Sequence, residues 1–178
     1  MKQQWKNILL IGGSGQNVGK TTFINRVLEQ SRVHNPIAVK ISPHFYPPTP
    51  GLKLLSESEN YQLFEETDRN SNKDSSLFLQ NGAKRSYYMQ AHDGHLAEAF
   101  IALLPYLEAE RPILIESAAL HQHIAAGLFL FIYNKNEEEK PTTKANLKIA
   151  DFVVHSDGKS FDLPLSQLKF ENEWKIIK

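Results

Sequence analysis

Lys20, Thr21 and Thr22 stand directly behind a glycine-rich run, Gly12-Gly13-Ser14-Gly15-Gln16-Asn17-Val18-Gly19. An ammonium and a hydroxyl at the end of such a run are suited to polyphosphate chemistry. Consecutive backbone N–H groups around a tight glycine turn face a concavity that takes an anion, and a helix starting there adds its positive end. In that arrangement Lys20 reaches the terminal phosphates and the Thr21 hydroxyl binds Mg2+. The candidate phosphate-binding residues are Gly13, Ser14, Gly15, Gln16, Asn17, Val18, Gly19, Lys20, Thr21 and Thr22. The strict spacing G-x-x-x-x-G-K-[ST] asks for glycine at position 14, where this chain has Ser14, with Gly13 one residue further back.

Other chemistry-bearing residues follow apolar runs. Glu116 comes after Ile113-Leu114-Ile115 and could supply a carboxylate to phosphate-bound Mg2+, or cap the turn that follows. Lys40 ends another apolar run, where a cation is costly to bury without an anionic partner, so Lys20 and Lys40 are the candidate catalytic cations. Asn134-Lys135 directly follows the run Leu128–Tyr133. An Asn-Lys pair in that place can select guanine, with Glu137 accepting from the base; a polar turn into an acidic run is the other reading. His92, His95, His121 and His123 offer no third zinc ligand and no cysteine, and read as solvated histidines.

The elements that must position these residues are legible. Ile8–Ile11 reads as a strand buried on both faces, and Phe23, Ile24, Val27 and Leu28 form one face of the helix behind the loop. Further strands are predicted at Ile37–Ile41, Tyr87–Met89, Pro112–Ile115, Leu128–Tyr133 and Phe152–Val154. Helical patterns cover Asp74–Gln80, Gly94–Leu104 with Asp93 as its cap, and Lys144–Ile149. This alternation predicts an α/β three-layer sandwich with a mostly parallel sheet, as in P-loop nucleoside triphosphate hydrolases. Residues 43–72, with Pro43, Pro47, Pro48 and Pro50, read as a long loop, either a lid or a surface insertion.

Composition bounds the rest. One domain over 1–178 is expected, with Lys plus Arg and Asp plus Glu both at 20, so nothing predicts attraction to DNA, RNA or a membrane surface. There is no cysteine, and no apolar run approaches the ~20 residues of a spanning helix, so a cytoplasmic location is expected.

The loop GSGQNVGKTT resembles that of dethiobiotin synthetase and its relatives. The segments AVKISPH (Ala38–His44), NKDSSLFLQNGA (Asn72–Ala83) and ILIES (Ile113–Ser117) resemble molybdopterin-guanine dinucleotide biosynthesis protein B. The resemblance spans about residues 7–158, and departs at Ser14, at Ser117 where that family has glycine, and at Leu77 and Leu79 where it often has arginine. It implies a GTP-binding, weakly hydrolysing adaptor for a partner nucleotidyltransferase in molybdenum cofactor biosynthesis, with a possible homodimer. It also implies a site role for His44; the likeness to dethiobiotin synthetase relatives implies a metal role for Asp74 beside Thr21 and Glu116, although Asp74 could instead cap a helix. The dethiobiotin synthetase likeness implies an ATP-dependent kinase or ligase; a binding module without turnover is the third expectation.

Overall fold

A computed structural model describes residues 3–177. Its elements, in order, are β1 (Gln4–Gly13), α1 (Lys20–Ser31), β2 (Ile37–Ser42), β3 (Leu52–Glu57), β4 (Tyr61–Glu66), α2 (Asp74–Gln80), β5 (Arg85–Ala91), α3 (Leu96–Leu103), β6 (Ile113–Glu116), β7 (Ala125–Tyr133), α4 (Thr143–Ile149), β8 (Phe152–His155), β9 (Leu168–Phe170) and β10 (Trp174–Ile176). Eight strands form one sheet in the order β3-β4-β5-β2-β6-β1-β7-β8. The run from β5 to β8 is parallel, while β3 and β4 add an antiparallel edge. The chain is thus α/β with a mostly parallel central sheet and helices around it.

β1 lies inside the sheet because it is apolar on both faces. Ile8 and Leu10 join a core with Leu96, Ala99, Phe100 and Leu103 of α3. Leu9 and Ile11 join another with Phe23, Ile24, Val27 and Leu28 of α1 and Phe78 of α2. Full burial of such aliphatic side chains contributes roughly 1.5–3 kcal/mol each, so this double burial anchors the strand from which the glycine-rich loop departs. The apolar face predicted for α1 is the buried face observed.

The segment read as a long loop is in large part a hairpin. β3 and β4 pair antiparallel, and β4 continues onto β5 with Leu63 opposite Met89 and Phe64 opposite Tyr88. Tyr61, Leu63 and Phe64 are buried and supply the apolar contacts. Three glutamates in these strands, Glu57, Glu65 and Glu66, gave the segment a solvated look, yet Glu66 is itself buried. Its carboxylate accepts from Ser75 Oγ at 2.7 Å and from the Asp68 N–H at 2.9 Å. The stretches between β2 and β3 and between β4 and α2 stay irregular.

The helix starts also differ from expectation. A short 3-10 turn, Asp93–His95, precedes α3, so Asp93 does not cap it. Beyond β8, β9 and β10 form a separate two-stranded sheet that buries Leu168, Phe170 and Trp174 against the α1 side. The Trp174 indole N–H donates to the Asn7 carbonyl at 2.9 Å. No helix among the described residues is long and apolar enough to cross a membrane.

Candidate functional site

The parallel strands share one direction, so their carboxyl ends meet at one edge, where ligands of open α/β sheets bind. The registers place Ile11, Glu116, Lys40 and Tyr88 side by side across β1, β6, β2 and β5. Glu116 and Lys40 are therefore direct cross-strand neighbours, and their proximity follows from register.

The glycine-rich loop turns back over the end of β1. A Cβ on Gly13 would lie 2.8 Å from Lys20 Cδ and 2.9 Å from Val18 Cγ2, so the lysine stem runs through space that only glycine leaves open. Gly19 has φ 96°, and the Gly158 carbonyl and the Phe161 ring stand 3.0 and 3.1 Å from where its Cβ would be. Lys20 Nζ donates to the Gly15 carbonyl at 2.7 Å. Ser14, at the position of the missing glycine, is buried and ties the loop to the end of β7. Its N–H donates to the Ile132 carbonyl, its Oγ accepts the Asn134 N–H at 3.2 Å, and its carbonyl accepts from Lys140 N–H and Thr143 Oγ1.

Two carboxylates meet the loop. Thr21 Oγ1 donates to Asp74 Oδ1 at 3.0 Å. Lys40 Nζ lies 3.0 Å from Asp74 Oδ2 and 2.5 Å from Glu116 Oε1. The other Glu116 oxygen, Oε2, is buried without a hydrogen-bond partner. Asp74 opens α2 but makes no capping bond. Nor does Glu116 cap the turn after β6: Ser117 Oγ does, accepting from the N–H groups of Ala119 and Leu120. The serine that departs from the resembled pattern thus has a local structural task.

Electrostatics differ between the two lysines. Burial lowers the Lys20 pKa to about 8; Glu116 pulls against this, while Lys140 and Lys40 add to it. Burial is also the largest influence on Lys40, but Glu116 and Asp74 together outweigh it and hold its pKa above the ordinary lysine value.

A cavity of about 480 Å³ brings together Gln16, Asn17, Gly19, Lys20, Thr21, Thr22, Lys40, Asp74 and Glu116, with Gly158 at its rim. The chain matches no family model, no curated protein and no solved structure. What the site can do follows from its geometry. Val18 is fully buried and can offer only its backbone. His44 lines a neighbouring cavity of about 580 Å³ that also touches Lys20, Lys40 and Glu116. No cluster of three or more His, Cys, Asp or Glu side chains suited to a metal ion occurs among the described residues.

Beside the loop, a cavity of about 520 Å³ separates Tyr133, Lys135 and Asn136 at the end of β7 from His155, Ser156, Asp157, Ser160, Phe161 and Asp162 after β8. Lys135 lines it; Asn134 does not. Asn134 is 2% exposed and its Oδ1 accepts the Asn136 N–H at 3.0 Å, as a polar turn would have it. A fourth cavity, about 270 Å³, shares Lys40 and Asp74 with the cavity beside the glycine loop and is walled by Tyr46, Pro47, Leu52 and Tyr88.

Sequence reasoning overlooked the segment after β8, whose Gly158 and Phe161 pack on Gly19. Its cue was Asp157-Gly158, a turn pair with two residues between it and the apolar run Phe152–Val154. It also overlooked Gln90, which is fully buried and grips Tyr46 by both its N–H and its carbonyl.

Proposed function

We propose that this chain binds a nucleoside triphosphate with Mg2+, its phosphates on the Gly13–Thr22 loop, within a three-layer sandwich of the P-loop kind. The observation that carries this reading is the Thr21–Asp74 hydrogen bond beside Lys20 in one cavity with the glycine loop. A hydroxyl and two carboxylates are hard oxygen donors, and the orphaned Glu116 Oε2 offers a ligand position that no protein group fills. Two carboxylates suit an ion that keeps waters and takes its remaining ligands from phosphates. Mg2+, held by Thr21, Asp74 and Glu116 directly or through water, would neutralise charge on the terminal phosphates. Lys20 and Lys40 add two cations for charge that develops on the transferred phosphoryl group.

The nucleoside falls to the cavity beside the loop. Lys135 offers its aliphatic stem there, and Asp157 Oδ1 already accepts the N–H groups of Lys159 and Ser160, which fixes that carboxylate in place. A fixed carboxylate accepts from the guanine N1 and N2 donors, which adenine lacks, and this favours GTP. Slow hydrolysis and an adaptor role toward a nucleotidyltransferase, in the cytoplasm and as a homodimer, extend the sequence resemblance and form the rest of the proposal.

A second reading, transfer of the phosphoryl group to an acceptor, draws on the smaller cavity that shares Lys40 and Asp74 with the phosphate side. The deciding experiment identifies the nucleotide retained through purification and titrates GTP and ATP with Mg2+. No binding of either rejects the proposal. Turnover that needs an added small acid favours the second reading.

A further inference from the structure

We propose that Lys40 is a built-in stand-in for the divalent cation, leaving the carboxylates only when metal and nucleotide arrive together. The inference rests on the nucleotide–Mg2+ reading above and says how that site is regulated.

Two carboxylates suited to a hard dication converge on one ammonium, and a hydroxyl is bonded to one of them. Lys40 Nζ touches Glu116 Oε1 and Asp74 Oδ2, and Asp74 Oδ1 holds the Thr21 hydroxyl. The Glu116 side chain is only 5% exposed, and one of its oxygens has no partner. A buried carboxylate needs compensating charge. Lys40 supplies one unit to a pair of carboxylates and leaves Oε2 unserved. A dication would serve both oxygens and both carboxylates.

An ammonium on a flexible stem is a compact point charge that can be exchanged for another cation. It comes from the end of β2, and Lys40 lines the cavity where phosphates would lie, so it has an anion to move to once a triphosphate binds. A metal ion alone offers it none. It would have to displace Lys40 into a cavity already holding Lys20, and like charges at short range repel strongly where water is scarce. Metal and nucleotide must then bind with positive coupling, and linkage makes that coupling the same whichever is added first. An ordinary structural ion pair between β2 and β6 predicts something else: removing Lys40 would leave two uncompensated carboxylates and gain no metal site.

The test is Mn2+ binding without nucleotide, followed by paramagnetic resonance of the free ion. Wild-type protein should bind Mn2+ only weakly. Lys40→Met should bind it at least tenfold more tightly, and its thermal midpoint should rise with added Mn2+. Lys140→Met removes the same charge from a lysine that makes no ion pair with either carboxylate, and should change the affinity less than threefold. A Lys40→Met protein no better than wild type, or one matched by Lys140→Met, overturns the proposal. Should Lys40→Met fail to fold, uniformly 15N-labelled wild-type protein gives the answer. The Lys40 ammonium resonance should move on adding Mg2+ with a non-hydrolysable GTP analogue and stay put with Mg2+ alone. A resonance that stays put while Gly13–Thr22 amides respond to the analogue overturns the proposal. Silent loop amides would reject the nucleotide reading itself, an outcome distinct from a fixed Lys40 resonance beside responding amides.

Discussion

Thr21 and Asp74, 53 residues apart in sequence, meet through a 3.0 Å hydrogen bond from hydroxyl to carboxylate. The contact joins the first turn of α1 to the first residue of α2. On the proposed reading these two oxygens are donors to a cation beside the glycine loop. Asp74→Asn keeps the shape and removes the charge. It should weaken Mg2+-dependent GTP binding about tenfold or more, since a hydrogen bond to a charged group contributes roughly 1.5–3 kcal/mol. Asp74 makes no cap, so α2 should persist. Calorimetric titration with and without Mg2+ checks this; equal losses in both would mean that Asp74 serves the phosphates or the fold rather than the metal.

Lys20→Ala should remove triphosphate binding with little change in thermal midpoint. Its ammonium bonds a loop carbonyl and lines the cavity, so the fold does not depend on it. Near-normal affinity in this variant would reject the phosphate-loop assignment.

Nucleotide affinity should depend on pH through Lys20. Burial lowers its pKa to about 8. An arriving polyphosphate favours the charged form, so it raises that pKa. At pH 7 Lys20 already carries its proton and binding takes up almost none. Above pH 8 the free protein has lost it, so binding takes up nearly one proton and affinity falls as pH rises. Metal-free GDP titrated at pH 7 and at pH 9, in buffers of different ionisation heat, reads the uptake directly. Equal uptake at both would show that Lys20 does not face the phosphates.

Asn134 and Asp157 should part company. Asn134→Ala should cost stability, about 1–3 kcal/mol for a buried polar partner left unpaired, with little change in the GTP-to-ATP ratio. Asp157→Ala should leave the thermal midpoint nearly unchanged and move that ratio toward ATP. Competition binding with both nucleotides separates the outcomes; a ratio altered only by Asn134→Ala would return base selection to the Asn-Lys pair.

Proteolysis should map the segment between β2 and β3. Gln90 holds Tyr46 there by two hydrogen bonds. Gln90→Ala should speed cleavage within residues 43–51, while β3 and β4 stay protected by pairing. If the segment closes over ligand, GTP with Mg2+ should slow that cleavage in the wild type; an unchanged rate leaves it a fixed wall of the small cavity.

The sheet was legible where burial is continuous. Ile8–Ile11, Ile37–Val39 and Ile113–Ile115 are uniform apolar runs, and each lies in a central parallel strand. The hairpin was not, because β4 alternates over only a few residues and carries a buried Glu66 whose partner, Ser75, lies in another element. The site divides the same way. Lys20 and Thr21 announce themselves by spacing, and Glu116 by its place at a strand end. The convergence of Lys40 and Asp74 depends on register and on where α2 lies over the sheet, neither of which local sequence encodes.

The indole of Trp174, bonded to the Asn7 carbonyl 167 residues earlier, bears on the order in which the molecule is made. β1 leaves the ribosome early, but both its sheet neighbours come from residues 113–133 and this last tie from residue 174. Contacts so distant in sequence are slow to close. Until residues 113–133 emerge, the glycine loop therefore follows a strand whose apolar run Ile8–Ile11 has no sheet neighbour, an edge on which other nascent chains can pair. Ser14 ties the loop to the end of β7, so on the proposed reading a nucleotide present during translation would find no formed loop until β7 is in place.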